Sequence, residues 1–134
     1  MKRILIISYI ISLSVLIGCE PKVTGPEEPK TEIYIGYAVG DSGKIFKSLD
    51  GGKNWEKKQS GITTKLNSVY VFNDTKVIAV GDNGVIIKTT DGGNTWVNQS
   101  SGTTVNLTKI IYNSLTNQSW ISGNEGVLLT SNNF

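Results

Sequence analysis

The 134-residue chain contains no histidine, and its only arginine is Arg3. The first absence removes the commonest general base and the commonest metal ligand, so serine–histidine chemistry is excluded. The second removes the planar fork that grips carboxylates in two-point fashion. There is one cysteine, Cys19, so no disulfide forms within the chain. All three prolines fall between residues 21 and 29, and helical periodicity is missing after residue 19. An excess of positive charge is lacking too. Of 13 basic and 11 acidic residues, Lys2 and Arg3 belong to the N-terminal segment, and 11 basic groups then face 11 acidic ones. A neutral domain has no electrostatic footprint for nucleic acid, which shows as clustered Lys/Arg on one face. The adjacent pair Lys57 and Lys58 reads as a solvated strand end.

What is present begins with a targeting pattern. Lys2 and Arg3 precede an apolar run, Ile4 to Ile17, interrupted by Ser8, Tyr9, Ser12 and Ser14. The run is shorter than the roughly 20 apolar residues of a spanning helix and is followed by polar sequence, as in a secretory signal. Its end, Leu16-Ile17-Gly18-Cys19, resembles the lipobox of bacterial lipoproteins. The resemblance implies cleavage of residues 1–18 and acylation of Cys19 by a diacylglycerol and a third acyl chain. Several chains on one residue make a durable anchor where one holds only marginally. The implied location is the bacterial cell envelope, lipid-anchored and extracytoplasmic, with membrane lipid as the partner of Cys19. Residues 19–32 carry the acceptor cysteine and a Pro/Glu-rich stretch with little apolar surface, which predicts an extended tether.

Residues 33–134 are repetitive. Ala38–Trp55, AVGDSGKIFKSLDGGKNW, and Ala79–Trp96, AVGDNGVIIKTTDGGNTW, agree at 11 of 18 positions, 41 residues apart. A third copy starts at Trp120, WISGNEGVLLTSNNF, and the repeats fall at about 33–62, 63–104 and 105–134. In the complete copy, Leu66–Phe72, Val77–Val80, Val85–Thr89 and Trp96–Gln99 read as short strands. The segments between them are rich in Gly, Asn and Asp, which serve turns. Strands apolar on both faces belong to sheets covered on both sides. A four-stranded antiparallel sheet every 41 residues is a propeller blade. The fold expected is all-β, with about two and a half blades supplying three, four and three strands. Propellers close with about 4–8 blades. The sequence is therefore read as part of a longer propeller, with self-association of short chains into a ring, or a decayed gene, as the other readings.

Ser48-x-Asp50-Gly51-Gly52-x-x-Trp55, and Thr89-x-Asp91-Gly92-Gly93-x-x-Trp96, resemble the Asp box of bacterial neuraminidase repeats. The longer phrase YAVGDSGKIFKSLDGGKNW resembles the repeats of the photosystem II stability and assembly factor-like propellers. These resemblances imply a propeller with Asp boxes at the blade periphery, away from the face where sialidases bind substrate. Loop chemistry agrees: the aspartate accepts backbone N–H bonds, the glycines permit unusual backbone angles, and the tryptophan buries a ring and offers its indole N–H to a carbonyl. The two boxes are expected to be structural staples.

A sialidase-like enzyme needs an arginine cluster, and paired carboxylates for glycoside hydrolysis must face each other. Asp41, Asp82 and Glu125 lie instead near equivalent turns of different repeats. The phrase Gly40–Lys44, GDSGK, lacks the spacing of a phosphate loop, and Asp82–Gly84, DNG, reads as a hairpin turn rather than a calcium loop. The function expected is a non-catalytic binding or assembly module for a protein or glycan, with no cofactor and no metal. The alternatives are a glycan-processing enzyme with its catalytic residues on other blades, and a purely structural surface lipoprotein.

Overall fold

The computed structural model describes residues 34–132, so the expected signal segment, Cys19 and the expected tether lie outside the described residues. The described strands are β1 (Gly36–Val39), β2 (Ile45–Ser48), β3 (Glu56–Lys58), β4 (Leu66–Val71), β5 (Val77–Gly81), β6 (Ile86–Thr89), β7 (Val97–Gln99), β8 (Leu107–Asn113), β9 (Gln118–Gly123) and β10 (Leu128–Ser131). They form three antiparallel sheets, β1-β2-β3, β4-β5-β6-β7 and β8-β9-β10. The order of three, four and three strands is the one the repeats imply. Among the described residues, no helix is long and apolar enough to cross a membrane.

Strand alternation explains how the sheets stack. Successive side chains of β5 point to opposite faces. Ile78 and Val80 join Ile86, Leu107, Ile110 and Ile121 in the core between the second and third sheets. Ala79 joins Ile45, Leu66 and Ile87 in the core between the first and second. All of β5 is buried, as a strand covered on both faces must be. Each fully buried Val, Leu or Ile contributes about 1.5–3 kcal/mol, so the two seams supply most of the cohesion between sheets.

The turn joining the second and third strands of each blade is repeated in detail. Ser42, Asn83 and Glu125 are left-handed (φ 57°, 55° and 54°), each followed by a left-handed glycine. Val85 N–H donates to the Asp82 carbonyl at 3.1 Å, which keeps Val85 in the turn and starts β6 at Ile86. Glycine is required at Gly84 for a second reason, because a Cβ there would collide with the Thr103 carbonyl oxygen. Both β4–β5 and β8–β9 contain a bulge, at Asn67 and Thr108. A bulge re-aims its side chain. Asn67 donates to Asp82 Oδ1 at 2.7 Å and to the Leu107 carbonyl at 2.9 Å, tying the second blade to the third.

Candidate functional site

The two Asp boxes join the third and fourth strands of the first two blades. In the first, the Ser48 hydroxyl donates to Asp50 Oδ1 at 2.8 Å and accepts from Gly52 N–H at 2.8 Å. Asp50 also accepts from Asn54 N–H at 2.9 Å and Asn54 Nδ2 at 2.7 Å. In the second, Thr89 Oγ1 donates to Asp91 Oδ1 at 2.7 Å and accepts from Gly93 N–H at 3.0 Å. Asp91 accepts from Asn94 N–H at 3.0 Å, Thr95 N–H at 2.9 Å and Thr95 Oγ1 at 2.6 Å. Positive φ at Gly51 and Gly52 (73° and 90°) and at Gly92 and Gly93 (72° and 88°) lets the loop curl around its own carboxylate.

These bonds favour the charged carboxylate. The backbone and side-chain bonds of Asn54, with that of Ser48, hold the Asp50 carboxyl down at about 2. The Thr95 hydroxyl, Thr95 N–H and Thr89 hydroxyl hold Asp91 well below the usual carboxylate range. Both acids are spent inward on their own loops, and neither is poised to exchange a proton near neutral pH.

Outside the loops the boxes differ. The Gly92 carbonyl of the second box accepts from the Tyr37 hydroxyl and from Lys47 Nζ, both at 2.8 Å, and both donors come from the first blade. The Tyr37 ring meets Trp96 edge-on at 6.4 Å, and burial followed by the nearby charge of Asp91 pushes its phenol up. The indoles diverge as well. Trp55 Nε1 donates to the Gly52 carbonyl at 3.0 Å, whereas Trp96 Nε1 is buried without a hydrogen-bond partner. The carbonyl expected for the Trp96 indole is not supplied, because its ring is packed into the seam with the first blade. Tyr37 and Lys47 escape the sequence reading because they act across a repeat boundary. The available signal is Tyr37's polar tip at a strand position where Ile78 stands one repeat later.

The acidic residues remain apart in kind: Asp41, Asp82 and Glu125 each belong to the turn of a different blade. Asp41 pairs with exposed Lys65 at 3.5 Å. Among the described residues no group of three or more acids, cysteines or histidines could hold a metal ion. An open groove of about 680 Å³ lies beside the second blade, and its lining includes Asn83, Asn98, Gln99, Ser101, Thr103 and Thr104 and, among the described residues, no charged side chain. Amides, hydroxyls and backbone of this kind offer donors and acceptors without charge selection.

Repeated antiparallel sheets of three, four and three strands, packed face to face through alternating strands and with an Asp box in each of the first two, define a stack of β-propeller blades. The model of one propeller family, the photosynthesis system II assembly factor YCF48, matches residues 30–98 and 62–132, and the chain belongs to that family. A solved structure of YCF48 bound to a D1 peptide superposes with a TM-score of 0.62 at 21% identity, covering 74% of this chain and 34% of that one. YCF48 from Cyanidioschyzon merolae superposes with a TM-score of 0.59 at 22% identity, covering 70% of this chain and 32% of that one. The chain thus spans about a third of the length of these solved structures. No curated protein matches it.

Proposed function

We propose that the chain is a non-catalytic assembly module that binds a protein segment and is held outside the cytoplasmic membrane by acylated Cys19. The observation that carries the binding role is the family match, within a family described as an assembly factor and with a member solved with a bound peptide. The groove beside the second blade is the surface assigned to the partner, because its uncharged amides and hydroxyls suit an extended peptide backbone. The residue inventory points the same way: without histidine, and without arginine after Arg3, the chain has neither the common base nor a carboxylate clamp for sialidase-like chemistry. The Asp boxes act as staples in this reading, since their carboxylates are consumed by their own loop donors.

A photo-crosslinking amino acid at Asn83, in the membrane of the source cell, tests the binding role. One defined protein adduct at Asn83, absent when the probe sits at Asn54 in the first Asp box, is the expected result. A glycan adduct, or none at either position, overturns it. The anchor is tested separately: Cys19→Ser should release the protein from the membrane fraction, and an intact mass without acyl chains on the extracted wild type would refute lipidation.

A further inference from the structure

The outer edges of the first two blades differ in kind. β3 and β7 are each the last strand of their sheet. The residues of β3 are Glu56, Lys57 and Lys58, and Lys58 Nζ pairs with Glu56 Oε1 at 2.8 Å. Charged side chains on an edge oppose pairing with another strand. The residues of β7 are Val97, Asn98 and Gln99, with no charge among them, and Val97 is 56% exposed. The second blade, which stands between the other two in the chain, has the unguarded edge.

The phase of the ladder decides which backbone groups that edge offers. In an antiparallel pair, residues that bond each other alternate with residues whose N–H and carbonyl point away. Gly81 N–H donates to the Val85 carbonyl at 2.9 Å, and the register from that pair makes Ala79–Ile87 and Val77–Thr89 the bonded pairs of β5 and β6. Ile86 and Lys88 therefore turn their backbone groups toward β7, where they face Gln99 and Val97. Asn98, between those two, turns its N–H and carbonyl outward. Among the described residues that N–H meets no acceptor, and the carbonyl accepts only from the side-chain amide of Gln99, at 2.9 Å. A backbone donor and acceptor thus stand side by side on an uncharged edge.

We propose that the protein segment bound in the groove adds to the second sheet as a fifth strand along β7. This rests on the binding role assigned to that groove, and it assigns how the segment is held. Asn98 and Gln99 belong to both the edge and the groove, so a segment that pairs with β7 runs on past residues 100–104. Its N–H displaces the Gln99 amide from the Asn98 carbonyl, and its carbonyl accepts from Asn98 N–H, the main-chain grip of strand addition. The Val97 side chain lies on the sheet face opposite to that of Asn98. It favours a β-branched or aromatic residue at the facing position of the segment.

Asn98→Pro separates the backbone from the side chain. The N–H it removes takes no part in the ladder with β6, and proline is tolerated on edge strands whose N–H faces solvent. The readout is the adduct formed by the photo-crosslinking residue at Asn83, with the full-length protein in the membrane of the source cell. Asn98→Pro should cut the yield about tenfold below that of Asn98→Thr, which changes the side chain and keeps the donor. Lys57→Pro, the equivalent change on β3, should leave the yield as it is. Val97→Lys brings a charge to the edge at an exposed side chain and should cut the yield several-fold, which keeps the test decisive if near-ultraviolet circular dichroism shows the Asn98→Pro protein unfolded. Equal losses from proline and threonine at Asn98, or a yield that Val97→Lys leaves unchanged, overturn strand addition while the binding role stands. An adduct at twice the mass of the chain puts a second copy on the edge and overturns it too. No adduct at Asn83 in the otherwise unaltered protein removes the binding role, and strand addition falls with it.

Discussion

In the first Asp box Gly51 and Gly52 face solvent and Trp55 is 45% exposed, whereas in the second Gly92 and Gly93 are buried and Trp96, partly buried, packs against the core. The inner wiring is nevertheless shared: a buried hydroxyl, Ser48 or Thr89, bridges the carboxylate and a glycine N–H in both. The motif is therefore self-sufficient as a loop, and its burial is added by the blade that covers it. Gly36 shows the same contrast. A Cβ there would meet the Trp55 ring at 3.3 Å, so the ring lies down on β1, while the equivalent position in the second blade is the fully buried Val77. An identical signature thus carries different energetic weight at its two positions.

The tryptophans give the widest separation. Trp96→Ala, at a partly buried ring packed against the core, should cost about 3 kcal/mol, the low end of the range for removing a large aromatic from a core. Trp55→Ala, at a half-exposed ring, should cost about 1–2 kcal/mol. Urea unfolding of the two variants checks this, and equal midpoints would break the contrast. Next come the glycines. Alanine at Gly92 must adopt positive φ with its Cβ 2.9 Å from Lys47 Nζ and 3.1 Å from the Asp74 carbonyl oxygen, whereas at Gly51 the nearest atom is Tyr34 Cβ at 3.8 Å. Backbone strain of about 1–2 kcal/mol is common to both, and overpacking adds about 1–3 kcal/mol at Gly92 alone.

The stack of three, four and three strands is legible in the sequence because two local signals coincide. The unbroken apolar run Val77–Val80 implies a strand buried on both sides, and the Gly-Asp/Asn-x-Gly turns recur about every 41 residues. Contacts between repeats are much less legible. Nothing in the spacing of 55 residues between Tyr37 and Gly92 announces their bond. Trp96 carries the same motif as Trp55, so its unpartnered N–H has no sequence signal at all. The groove falls partly on residues 100–104, which match no motif and gain their position only from the blades on either side.

The shared interior of the boxes predicts equal losses. Ser48 and Thr89 are both 1% exposed, so Ser48→Ala and Thr89→Val should each cost about 1–3 kcal/mol, the range for stranding buried partners. A clear difference between them would mean that the covering blade also supports the inner wiring. Tyr37→Phe should cost less, about 1 kcal/mol, because Lys47 still donates to the Gly92 carbonyl. The same change leaves the first box untouched.

The last contrast, between the two carboxylates, is read as the pH is lowered. A carboxyl whose folded pKa lies below its unfolded value, about 3.9, binds its proton less readily when folded. Its stabilisation is complete above the unfolded value and is lost as pH falls through the folded one. Asp50, held at about 2, should lose its contribution between roughly pH 4 and pH 2. Asp91 is held lower still, so part of its contribution should survive at pH 2. Urea midpoints measured from pH 6 down to pH 2 should therefore fall in the wild type. Asp50→Asn and Asp91→Asn should each flatten that fall while lowering the midpoint at neutral pH. If Asp91→Asn leaves the acid slope unchanged, the Thr95 and Thr89 bonds do not favour its charged form in solution, and the staple holds through the hydroxyl and glycine alone.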